Sequence, residues 1–187
     1  MEQAVNRLGC IESDQQRRDF HQQGIHRLNA RGQLAITAVN LTGFFHVTQA
    51  AMRQMLARGT GGHTVNITRS LVDHAERQNP SGLVSLTKGG LAAVTRSPAV
   101  EYASRGVRFN AVALGVIENP VDDPGLYEGL AQLHPLGRVG KIRDVVEGIL
   151  YLEENGVQSG CPSGSVDSQS AGHQSPCESV ICPTSMM

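Results

Sequence analysis

The chain has 187 residues, 40% of them hydrophobic and 18% charged, and a formal net charge of −1 at pH 7. Such a length supports one domain with a sizeable core, and the composition is that of an ordinary globular protein. A near-neutral balance without a basic run, with four phenylalanines, three tyrosines and no tryptophan, argues against a nucleic-acid partner. No apolar run is long enough to span a bilayer, and the first twenty residues lack the apolar centre of a signal peptide, so a cytoplasmic location is expected.

In chain order, residues 1–33 are polar, rich in glutamine and arginine, and without a strand signal. From Leu34 the pattern sharpens. Leu34, Ala38, Leu41, Phe45, Thr48, Met52 and Met55 recur at threes and fours, which predicts one buried stripe on a long helix, Leu34–Leu56. Gly59-Thr60-Gly61-Gly62 turns the chain, and Thr64–Ile67 reads as a short buried strand. The polar stretch Leu71–Ser81 predicts a loop. A second helix follows over Leu83–Ser104, with Leu91, Val94, Pro98 and Tyr102 on one face and Pro98 removing a backbone donor. Val107–Leu114 is rich in β-formers and predicts a strand. A short helix is expected around Leu126–Leu133, and Ile142, Val145, Val146, Ile149 and Leu150 mark a third amphipathic helix. Beyond Asn155 the composition turns to serine, glycine, proline and cysteine, so residues 156–187 read as an irregular tail. Helix, strand, helix, strand, helix predicts an α/β core over residues 34–155, layered around a parallel sheet.

Cys10, Cys161, Cys177 and Cys182 lie outside this core and form no CxxC pair, so they read as free thiols and no metal site is expected.

Several segments fall in an order that carries chemistry. They are Val39-Asn40-Leu41-Thr42-Gly43, Val65-Asn66-Ile67-Thr68-Arg69-Ser70, Lys88-Gly89-Gly90-Leu91 and Asn110-Ala111-Val112-Ala113-Leu114-Gly115. Together they resemble the short-chain dehydrogenase/reductase family over about Ile36 to Glu153, and Ser165-Val166-Asp167 faintly resembles its last strand. The resemblance implies a Rossmann-like doubly wound sheet and hydride transfer between NAD or NADP and a small alcohol or carbonyl. It makes Lys88 the lysine that holds the nicotinamide ribose, Asn40 the holder of a relay water, and Ser70 the hydroxyl on the substrate oxygen. Gly115, Ile117 and Asn119 would meet the nicotinamide side. It further implies a homo-oligomer built through the two long helices.

The chemistry explains the constellation. Hydride transfer leaves negative charge on oxygen, which needs hydrogen-bond donors and then a proton. In the family a tyrosine one helical turn before the lysine supplies that proton; this chain has Val84 there. Arg69 and Ser70 both fall near the serine position, and Ser70 is selected because it keeps the hydroxyl. Leu114 stands where the family usually has proline, and Asn119 where it often has threonine. Ahead of Leu34 there is neither a TGxxxGxG turn to cradle a pyrophosphate nor an NNAG-like segment. The sequence therefore suggests a divergent member lacking its N-terminal βαβ half and impaired in activity. Its rivals are a catalytically inactive subunit and a truncated product. His74 and Tyr127 are weighed as substitute groups and read as a loop histidine and a packing residue; Tyr102 reads as core.

Overall fold

A computed structural model describes residues 24–75, 77, 79–118, 125–132, 136–156, 159–160 and 164–165. Asn29 starts the first helix, its side-chain oxygen accepting the Gly32 N–H at 2.8 Å. Helix α1 (Ala30–Thr37) passes through a π turn, Ala38–Gly43, into α2 (Phe44–Arg58). Gly59 ends α2 in the left-handed conformation, with φ 68°. Strand β1 (Gly62–Arg69) follows, then a 3₁₀ turn, Ser70–Val72, and helix α3 (Gly82–Glu101). A 3₁₀ turn, Ala103–Arg105, leads into strand β2 (Val107–Leu114), followed by helix α4 (Gly125–Ala131), helix α5 (Ile142–Glu154) and strand β3 (Gly164–Ser165); another 3₁₀ turn, Ile25–Arg27, precedes α1.

The three strands are parallel in the order β1-β2-β3, with β1 and β2 in register from Gly62–Val107 to Arg69–Leu114. This is the predicted α/β class with a partial Rossmann-like sheet. One face meets α2 and α3 through Met52, Ala99, Val107 and Phe109, flanked by Met55, Leu56 and Tyr102. Residues alternate across a strand, so Arg108 and Asn110 point to the other face. There the Arg108 guanidinium donates to the carbonyls of Leu152 (2.6 Å), Glu153 (3.0 Å) and Asn155 (3.2 Å) at the end of α5. The residues after α5 rejoin β2, where the Gly160 N–H donates to the Phe109 carbonyl and the Phe109 N–H to Ser159 Oγ.

The helices stand where the sequence predicts them, but their buried faces differ. Of the first predicted stripe, Met52 is buried, whereas Leu34 is 68% and Phe45 61% exposed. The π turn between α1 and α2 offsets an unbroken 3.6-residue count, so Leu34 and Met52 do not share a face; Phe45, seven residues before Met52 on α2, is exposed near the other end of that helix. On α3 the buried positions are Leu83, Thr87, Leu91, Thr95 and Ala99, with Val84 beside them, rather than Val94. Thr87 and Thr95 escaped a hydrophobic count because they are polar. Both hydroxyls are satisfied inside, Thr95 donating to the Leu91 carbonyl and accepting from Asn66 Nδ2, each at 2.8 Å. On α5, Ile142, Val146 and Leu150 are exposed, and Leu152 is the buried residue. The strand predicted over Thr64–Ile67 extends two residues further at each end. Gly164–Ser165 also makes a strand inside the stretch read as an irregular tail.

Candidate functional site

The candidate residues gather at the carboxyl ends of the parallel strands, where open α/β sheets bind ligands. The register that pairs Arg69 with Leu114 sets Ser70 and Gly115 next to each other as the residues that leave β1 and β2. Lys88, nearly two turns inside α3, reaches back to the same end, and its Nζ donates to the Ile67 carbonyl at 2.9 Å. Burial pushes the Lys88 ammonium below its ordinary value, and the charge of Arg69 adds to that push.

Asn40 sits in the π turn and donates through Nδ2 to Thr87 Oγ1 at 3.0 Å. Thr87 Oγ1 in turn faces the Leu83 carbonyl at 3.1 Å and the Val84 carbonyl at 3.3 Å. The residue next to Lys88 thus couples the π turn to α3, a role that sequence reasoning missed. The available signal was its spacing, four residues after Leu83 and four before Leu91. Ser70 is buried, and its carbonyl accepts the N–H groups of Asp73 (3.1 Å) and His74 (3.0 Å). Leu41 lies 3.5 Å from where a Cβ on Gly90 would stand, an ordinary packing distance between the π turn and α3.

Val84 is 1% exposed. The position where the sequence resemblance expects a proton donor thus holds an apolar side chain packed into the interior. His74 is exposed beyond the Ser70–Val72 turn, Tyr127 is buried on α4, and Tyr102 packs on the core.

The loop after β2 is pinned. The Gly140 N–H donates to the Val116 carbonyl at 2.9 Å, and the Glu118 N–H donates to the Gly140 carbonyl at 2.8 Å. A Cβ on Gly140 would lie 2.5 Å from Ile117 Cδ1, so a larger residue there would have to displace the end of that flexible side chain. The bracket holds Gly115 and Ile117 at the site end of the sheet; Asn119 lies outside the described residues. Among the described residues, no group of three or more His, Cys, Asp or Glu side chains is arranged to hold a metal ion. No described helix is long and apolar enough to cross a membrane.

A family model described as enoyl-(acyl carrier protein) reductase matches residues 5–159, reaching ahead of Leu34 into the segment that composition sets apart. The chain is 34% identical over 125 residues to cyclohexanol dehydrogenase of Acinetobacter sp., covering 67% of this chain and 49% of that protein. It is 33% identical over 140 residues to carbonyl reductase [NADPH] 2 of Sus scrofa, covering 72% and 56%. The chain spans about half the length of the curated relatives it matches. Among solved structures, ElxO with NADP bound superposes with a TM-score of 0.72 at 25% identity, over 81% of this chain and 63% of that one. A gluconate 5-dehydrogenase from Burkholderia cenocepacia, in complex with NADP and tartrate, gives 0.70 at 25% identity, over 82% and 61%. A match through most of the chain, joined by relatives a third identical and by solved structures that share the fold, places this chain in the short-chain dehydrogenase/reductase family.

Proposed function

We propose that this chain is an oxidoreductase unit that passes hydride between NAD or NADP and a small alcohol or carbonyl, at a rate impaired by the absence of its acid. The observation that carries the reading is Lys88, half-buried at the strand ends on the Ile67 carbonyl. These residues suit the nicotinamide-ribose half of the cofactor: a lysine for the ribose, and the pinned Val116–Glu118 backbone for the carboxamide. The cofactor, when bound, supplies or accepts the hydride.

The chain's own residues do the rest. Ser70 steadies the substrate oxygen. The Asn40 amide is committed to Thr87, so its oxygen side serves the relay water. The proton travels from water by way of Lys88, whose lowered value makes its ammonium readier to give one up; His74 is the alternative donor. Without a positioned acid the rate falls by about a hundred- to ten-thousand-fold. Residues 34–155 form the working core of this proposal, Asn119 belongs with Gly115 and Ile117 on the nicotinamide side, and the location is cytoplasmic.

The proposal extends to a homo-oligomer. Leu34, Val39, Phe45 and Val47 on the first helices and Leu86 and Val100 on α3 are exposed apolar residues, the surface a second copy would cover. The closed Val84 position supports one rival reading, a catalytically silent subunit that acts through those helices. Titration with NADH and NADPH, followed by cofactor fluorescence and thermal shift, separates the two. Saturable binding weakened at least tenfold by Lys88→Ala supports the oxidoreductase. A folded, cooperatively melting protein that binds neither leaves the silent subunit.

A further inference from the structure

At the other end of the sheet, away from Lys88, a second polar cluster ties α5 to the strands. His63, near the start of β1, stands beside Arg108 in the β1–β2 register, and its side chain is only 4% exposed. Its Nδ1 meets Glu153 Oε2 of α5 at 2.5 Å, and its Nε2 meets Asn110 Nδ2 of β2 at 2.9 Å. An amide nitrogen only donates, so Nε2 is the acceptor and the single ring proton sits on Nδ1, given to Glu153. The charged groups facing the ring are Glu153 from α5 and Arg108 from β2, and these two lie 3.6 Å apart. A second ring proton would point at the Asn110 donor, in a buried place beside a guanidinium. Glu153 is mostly exposed, which gives solvent protons a route to the cluster.

We propose that His63, Asn110, Arg108 and Glu153 form a pH-gated latch that holds the end of α5 on the sheet at neutral pH and loosens it in mild acid. The same helix begins two residues after Gly140, which brackets Val116–Glu118, so release is transmitted to the loop beside the site. The latch is independent of the reaction proposed above. Burial, opposed by Glu153 and aided by Arg108, holds the His63 ring below its ordinary 6.5. A folded value below the unfolded one makes the histidine's contribution complete above 6.5 and lost as pH falls through the folded value.

The test is amide hydrogen exchange of the full chain at about pH 7.5 and about pH 5, corrected for intrinsic rates. In mild acid, protection of Ile142–Glu154 and Val116–Glu118 should fall relative to β1 and β2 by a factor of roughly five, the loss of one buried hydrogen bond. In His63→Gln the two pH values should give the same protection. Equal protection in the parent, or a pH response that persists in His63→Gln, overturns the latch. Should that variant not fold, titration of the His63 ring in the parent by NMR decides: a midpoint below 6.5 supports the latch, and one at or above it overturns the proposal.

Discussion

Buried polar side chains that must find partners shape this molecule residue by residue. Asn66 and Thr95 bond to each other across the β1–α3 contact, both inside. Thr95→Val leaves the Asn66 amide a buried donor short of its acceptor and should cost about 1–3 kcal/mol, read from the urea midpoint. Val84 presents the opposite problem. Val84→Tyr restores the family's acid in name, but the ring must enter a closed interior and should destabilise the fold by about 1–3 kcal/mol. Thermal melting checks this, and a variant as stable as the parent would show that the site has room. Lys88 is held against its own preference. Its depressed folded value means the unfolded chain binds that proton more tightly, so stability rises with pH in the window below the ordinary 10.5. Melting temperatures measured upward from neutral pH should show this rise in the parent and a flatter profile in Lys88→Met.

At the scale of the elements, each helix is legible from its pattern but shows its neighbours a face the pattern did not name. Between α1 and α2 the π turn resets the phase, so Leu34 is exposed while Met52 stays in, and Phe45 is exposed near the start of α2. If a second copy covers this surface, Phe45→Glu should abolish self-association in sedimentation velocity and leave the circular dichroism unchanged. The two parallel strands start from a contact between glycines. Gly61 has φ 75°, and a Cβ there would lie 2.4 Å from the Gly106 carbonyl oxygen, which itself accepts the Gly62 N–H at 3.2 Å. Gly61→Ala combines a left-handed backbone penalty of roughly 1–2 kcal/mol with that clash, and denaturant unfolding should show at least this loss.

Over the whole molecule, the two ends of the parallel sheet carry different polar groups. The carboxyl ends of β1 and β2 collect Lys88, Ser70 and the loop that Gly140 pins, while the amino ends carry His63, Asn110 and Arg108 locked to the last turn of α5. Helix α5 joins them, since it begins beside the pinned loop and ends in the polar cluster. Its outer stripe, Ile142, Val146 and Leu150, stays exposed among the described residues.

The sequence by itself determined the α/β class, the second strand residue for residue, the positions of the long helices, and the family, because short periodic patterns and contiguous motifs report local geometry. From the family resemblance it named Lys88, Asn40 and Ser70 as candidates and Val84 as the position where the family's acid is expected. Only the tertiary structure decided which faces are buried, since a π turn and two satisfied threonines cannot be read from a hydrophobic count. The partners of Asn40, the bracket at Gly140, and the meeting of His63 with a glutamate ninety positions away were likewise settled by the tertiary structure alone. Those contacts join residues far apart in the chain, where no local spacing constrains them and only the packed sheet brings them within hydrogen-bonding reach.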